Sequence, residues 1–183
     1  MFRSASTYER ELKELLQGEP SRVRSYARQL DPTERSEFEQ VIDRPFLVIR
    51  AAGSLGFDLV ALRREFAFPL EVKASGEASV RFTAASGRAA EQLDEHRDAV
   101  ARVGLMVLYA YRRIGHRSEE PWRLFSASRP IGDGMLGVLA RRLPPIETTR
   151  DGNAILRWES GMPLSRFVKT FHYLTESAQV TAA

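Results

Sequence analysis

The apolar positions of this chain change period along its length, and those changes divide it into elements. From Ser6 to Gln17, Leu12, Leu15 and Leu16 recur at helical spacing and line one face of an amphipathic helix that Gly18-Glu19-Pro20 ends. Ser21 to Leu30 and Thr33 to Ile42 read as two short helices, the second begun by Asp31 as cap and Pro32 in its first turn. Short apolar runs then take over. Phe46 to Arg50 predicts a buried strand, Phe57 to Arg63 a second, Ala67 to Ala74 a third and Ser79 to Thr83 a shorter fourth. Helical spacing returns between Ser86 and Val103 through Ala89, Leu93, Val100 and Val103, with Gly104 as the stop. Leu105 to Tyr111 is an apolar strand, and Trp122 to Phe125 another. Two runs around Asp151-Gly152-Asn153, within Ile146 to Trp158, predict a hairpin. Pro163 to Leu174 closes the pattern as an amphipathic helix with Leu164, Phe167, Val168, Phe171 and Leu174 on one face, read as a packing face.

Charges interrupt the apolar strands at particular places. Side chains alternate across a strand, so Glu71 and Lys73 share one face while Leu70 and Val72 take the other. With a turn near Arg63-Arg64-Glu65, hairpin pairing brings Asp58 beside Glu71. Two carboxylates about 4 Å apart repel by roughly 4 kcal/mol at an effective dielectric near 20, so both stay ionised only with a cation between them. Oxygen ligands with open positions suit Mg²⁺, and Mn²⁺ also fits; either keeps waters and completes its shell with substrate phosphate. Lys73 is one of three lysines among 27 basic residues, which makes an acid-x-Lys at this position less of an accident.

Asp58, Glu71-Val72-Lys73 and a helical Glu9 resemble the catalytic signature of the PD-(D/E)XK nuclease superfamily. The flanking words, Glu9-Arg10, Val48-Ile49-Arg50 leading into Gly53-Ser54, and the later Glu91-Gln92, resemble the archaeal Holliday junction resolvases over the start of the chain and about Phe46 to Tyr111. The resemblance implies metal ligation by Glu9, Asp58 and Glu71, a catalytic Lys73, a contribution from Ser54, DNA backbone contacts from Arg10 and Arg50, and a site-facing Gln92. It also implies an αβββαβ restriction-endonuclease-like core with a mixed central sheet. To that core the chain adds a helical insertion at about 18–44 and a C-terminal extension at about 114–183 containing a hairpin and a helix. The whole is expected to be one nuclease domain.

Other readings of the same residues stay open. Ser6-Thr7-Tyr8-Glu9 also reads as a capping box with Ser6 at the N-cap, and Glu11 competes with Glu9 for the site. Gly132-Asp133-Gly134-Met135-Leu136-Gly137 spells G-x-G-x-x-G. Ser128-Arg129-Pro130 separates it from any strand and Pro144-Pro145 cuts its helix short, so a loop before a short helix, touching DNA through Arg141 and Arg142, is preferred to a dinucleotide site. His96, His116 and His172 are isolated and lack metal-ligand spacing, and no G-x-S-x-G elbow occurs. Arg112, Arg113, His116 and Arg117 form either a phosphate rim or a solvated loop.

Composition narrows the field without choosing within it. Zero cysteines exclude disulfides, thiolate metal sites and Cys nucleophiles. No apolar run reaches membrane-spanning length and the start lacks a signal-peptide core, so a soluble, cytoplasmic protein is expected. The formal net charge is only +3, but 24 of the 27 basic residues are Arg, whose fork binds phosphate bidentately. The sequence therefore predicts a metal-dependent, structure-selective DNA endonuclease of the Holliday junction resolvase type, serving DNA recombination and repair. A homodimer is expected because paired nicks on a two-fold junction call for two symmetric sites. Arg22 and Arg24 join Arg10, Arg50 and Gln92 as expected DNA contacts. The alternatives are a related nuclease acting on flaps, mismatches or foreign duplex, a non-catalytic DNA-binding module, and an interaction domain built on the C-terminal aromatic helix.

Overall fold

Three helices precede the first strand. The computed structural model describes residues 5–51, 56–83, 88–116, 119–128 and 134–181. Helix α1 spans Ala5–Leu16, α2 Pro20–Ala27 and α3 Pro32–Glu39. The two inserted helices start on local chemistry. Glu19 accepts from the amides of Ser21 and Arg22, Asp31 from those of Thr33 and Glu34, and a proline follows each cap at the first helical position, where no amide is needed. Ser6 lies inside α1 and not at an N-cap, so the capping-box reading of Glu9 fails.

Strands β1 (Leu47–Arg50), β2 (Leu59–Arg63) and β3 (Phe66–Ser75) form an antiparallel meander. Arg63 pairs with Phe66, so the β2–β3 turn is the two residues Arg64-Glu65, with Arg64 at φ 54°. Strand β4 (Ser79–Phe82) and helix α4 (Arg88–Val103) follow, and β5 (Leu108–Arg113) returns parallel to β3. Pro69 sits in a central strand without damage because β3 begins to pair with β5 only at Leu70. Strand β6 (Trp122–Ser126) pairs antiparallel with β5, and after helix α5 (Gly134–Arg142) comes the hairpin β7 (Glu147–Thr148) and β8 (Ala154–Arg157). A 3-10 turn at Trp158–Ser160 leads into β9 (Met162–Pro163) and the long helix α6 (Leu164–Thr181).

The result is a mixed α/β fold with six described α-helices and a mixed six-stranded sheet ordered β1-β2-β3-β5-β6-β9. On one face α1, α2, α3 and α6 pack over Val48, Leu59, Phe68, Leu70, Leu108 and Ala110. The aromatic stripe of α6 belongs to that core: Phe171 lies against Phe46, Phe66 and Phe68 at ring distances of 5.0 to 5.6 Å. It therefore serves as the expected packing face and offers no surface to a partner.

The other face is covered in part by α4 and by a second sheet, β4-β8-β7, whose Phe82, Leu156 and Trp158 pack with Tyr109, Tyr111 and Phe125. Two expectations are corrected here. The fourth strand pairs with β8 in this second sheet, a non-local choice that its own residues do not encode. Strand β1 is an edge with one bare face: Val48 is buried, whereas Leu47 and Ile49 are 60% and 49% exposed. Among the described residues no helix is long and apolar enough to cross a membrane.

Candidate active site

The site begins with what β2 lacks. The strand starts at Leu59, two residues short of the position opposite Val72, so the Val72 amide would lose its partner in the ladder. The Asp58 carboxylate supplies it, accepting from Val72 N–H at 2.7 Å, while the Asp58 amide donates to the Leu70 carbonyl at 3.1 Å. Asp58 is thereby fixed at the mouth of the β2–β3 hairpin, as the alternation argument expected.

On β3, Glu71 and Lys73 share a face and meet: Lys73 Nζ lies 2.6 Å from Glu71 Oε1. Glu71 is buried, with 4% of its surface exposed, and its second oxygen accepts from Gln92 Nε2 at 3.1 Å. Burial pushes the Glu71 carboxyl above its ordinary range despite the attraction of Lys73, and Asp58 pushes it further. Burial likewise raises Asp58 against the bond from Val72, with Glu9 adding to the rise. Each ion is costly to keep charged here, which is the electrostatic signature of a site that gathers carboxylates.

Glu9 projects from α1 and is held by Arg50 at 2.6 Å. Its competitor Glu11 is occupied elsewhere, bound to Arg112 at 2.9 Å and to the Trp122 indole at 3.0 Å, where it ties α1 to β5 and β6. The structure thus separates the two glutamates. Among the described residues no three acid or histidine side chains are gathered into a ready cage for an ion. The donor set nevertheless suits a hard divalent cation, since it is all carboxylate and Mg²⁺ commonly binds through one or two carboxylates with waters filling the rest. Asp58 and Glu71 are the pair that would hold it.

Helix α4 completes the arrangement. Gln92 bridges Glu71 and the Gly56 carbonyl, at 3.0 Å from the latter. One turn on, His96 Nε2 lies 2.7 Å from the same carbonyl and His96 Nδ1 lies 2.8 Å from the Tyr109 hydroxyl. A carbonyl only accepts, so Nε2 carries the proton and Nδ1 accepts from Tyr109, which makes the ring neutral. Burial lowers the His96 pKa, in accord with that assignment, and Phe57 stacks on the ring at 4.4 Å. This strut from β5 through α4 fixes the backbone two residues before Asp58. Asp58 and Gln92 open on a cleft of about 260 Å³ that Arg88 and Glu95 also line.

Sequence reasoning missed Arg88, Glu95 and His96. The signal was present as Arg88, Gln92 and Glu95-His96 at one-turn spacing on one helix face, but no strand chemistry pointed to it. Of the remaining expected residues, Arg10 and Arg24 are exposed, Arg22 pairs with Glu14 at 2.7 Å, and both α2 arginines stand on the helix-covered face of the sheet, opposite to Glu71. Gln92 bonds to the acid itself. Ser54 and Gly53 lie outside the described residues, as do Gly132 and Asp133 of the G-x-G-x-x-G segment, whose remaining residues open α5.

The fold and site define a mixed α/β protein with a carboxylate–lysine cluster at a hairpin mouth. No family model matches the chain, and no curated protein matches it. Among solved structures, Hjc, a Holliday junction resolvase from Archaeoglobus fulgidus, is similar at a TM-score of 0.46 and 17% identity, over 74% of this chain and 91% of that one. The likeness is distant, and no part of the functional reading rests on it.

Proposed function

We propose that this protein is a Mg²⁺-dependent DNA endonuclease that hydrolyses phosphodiester bonds at four-way junctions and works as a homodimer in the cytoplasm. The observation that carries the chemistry is the Glu71–Lys73 pair with Asp58 beside it, bonded to the Val72 amide at the mouth of the β2–β3 hairpin, where burial raises both carboxyls. The junction and the dimer rest on the sequence resemblance of Glu9-Arg10, Val48-Ile49-Arg50, Asp58 and Glu71-Val72-Lys73 to the archaeal resolvases.

Asp58 and Glu71 would hold the ion, with Glu9 as a third ligand once released from Arg50; bound there, Mg²⁺ would lower the pKa of a water and offset charge on the phosphate oxygens. Lys73, 2.6 Å from Glu71, is placed to orient that water and to stabilise the negative charge that grows as the P–O bond breaks. Gln92 and His96 keep Glu71 and the Asp58 backbone in place. Arg10 and Arg50 contact phosphates, and Ser54 contributes as the resemblance implies, whereas Arg22 and Arg24 stand on the opposite face and are not assigned to the cut strand.

The test is cleavage of a synthetic four-way junction beside linear duplex, flap and single-stranded DNA, with Mg²⁺ or EDTA. Symmetric nicks confined to the junction are expected, and Asp58→Asn abolishes them while leaving DNA affinity within about twofold. Cutting of the linear controls would keep the nuclease and discard the junction. Metal-independent binding without product would instead favour a non-catalytic binding module, the reading suggested by Arg50 holding Glu9.

A further inference from the structure

Three arginines meet at the far edge of the sheet without a counter-charge. Arg141 and Arg142 end α5, Arg166 lies in the first turn of α6, and all three line a cleft of about 380 Å³ walled by Pro144, Pro145 and Pro163. No Asp or Glu lines that cleft, none of the three makes an ion pair among the described residues, and all three are exposed.

Basic residues in the last turn of α5 suit the negative end of its dipole, and Arg166 stands in the first turn of α6 beside the helix end that the Glu120 carboxylate caps. The cleft continues through Arg142, Pro163 and Arg166 into a larger one of about 560 Å³ that Glu34, Glu37, Lys169 and Tyr173 also line, with Lys169 paired to Glu37 at 2.7 Å.

The cleft is set apart from the acids. It lies at β9, three strand spacings of about 4.8 Å from β3, so roughly 14 Å across the sheet. It also belongs to the α5–α6 side, whereas Glu71 and Lys73 face α4 and the second sheet.

We propose that the Arg141–Arg142–Arg166 cleft is a second phosphate-backbone site, which grips a DNA segment other than the one cut. Guanidinium forks at a polar cleft without carboxylates are suited to phosphodiester oxygens. The inference rests on the nuclease reading for its ligand.

The test compares R141Q/R142Q/R166Q with R28Q/R102Q/R150Q, which removes the same charge from exposed positions elsewhere. Binding to a four-way junction and to a 12-bp linear duplex is followed by fluorescence anisotropy between 50 and 200 mM salt, with melting temperatures confirming that both variants fold. Three lost phosphate contacts reduce the slope of log K against log salt by about 3, so affinity for the junction falls about 40-fold less over that range than in the wild type. The control triple keeps the wild-type slope, and the short duplex is bound alike by all three proteins. An unchanged junction slope, or an equal drop in both triples, overturns the cleft. Absence of Mg²⁺-dependent cutting in the wild type together with the expected slope change overturns the nuclease reading and leaves the cleft standing.

Discussion

At the scale of single residues, the acids of the candidate site are costly to keep ionised. Asp58 is held above the ordinary carboxylate range chiefly by burial, and a raised group contributes stability that is full at low pH and lost as pH rises through its folded value. At pH 7.5 the ionised Asp58 is therefore a burden, and Asp58→Asn, which keeps an oxygen for the Val72 amide, should melt higher than the wild type. The gain shrinks as pH falls and the wild-type carboxyl takes up its proton. Adding Mg²⁺ at neutral pH should raise the melting temperature of the wild type and leave Asp58→Asn unmoved, because a ligand stabilises only the form that binds it. A variant that melts lower than the wild type at pH 7.5 would mean that the raised carboxyl is not a cost. Much of this chemistry was legible, because period-2 alternation alone places Glu71 beside Lys73. The His96 strut was not, since its partners Gly56 and Tyr109 lie 40 and 13 residues away and no local pattern joins them.

At the scale of elements, local chemistry was readable and partner choice was not. Asp31-Pro32 announces α3, and the apolar spacing of α1, α4 and α6 marks their buried faces. The strand at Ser79–Phe82 is legible as a short strand, but its pairing with β8 depends on residues some 75 positions away. Helix α6 depends on a similarly remote group. Glu120, buried just before β6, accepts from the Ser165 amide at 3.1 Å, the Ser165 hydroxyl at 2.6 Å and the Tyr26 hydroxyl at 2.8 Å. One carboxylate thus caps α6 and ties it to α2, a role that Glu120 does not reveal by its place in the sequence. Removing it leaves two hydroxyls and a helix amide without their acceptor, each costing about 1–3 kcal/mol when buried. Glu120→Ala should then lose about 3 kcal/mol, read as a fall of roughly 9 °C in melting temperature. A loss below about 1 kcal/mol would show that water replaces the carboxylate at little cost.

At the scale of the whole molecule, stability is linked to pH through one residue remote from the acids. His172 lies in α6 with 4% of its surface exposed, and among the described residues its ring nitrogens make no well-formed hydrogen bond, the Arg44 backbone offering only a weak one. Burial first, then the positive charge of Arg63 and Arg44, brings its pKa down to about 4. The unfolded chain binds that proton at an ordinary 6.5, so the unfolded state takes up more protons than the native one between 6.5 and 4. Stability must fall as pH drops through that window, by about 2 kcal/mol at pH 5 and about 3 kcal/mol at pH 4. Asp58 and Glu71 act in the opposite sense, since their raised values make protonation favourable to the fold, and they soften the slope without reversing its origin. Replacing the ring separates the two effects. Urea denaturation of His172→Leu at pH 8, 6.5 and 5 should show a variant that gains on the wild type by about 2 kcal/mol between pH 8 and pH 5, whatever its offset at pH 8. A difference between the two proteins that stays constant with pH would mean that the imidazole is protonated as easily in the fold as out of it, and the acid sensitivity of the molecule would then lie in its carboxylates.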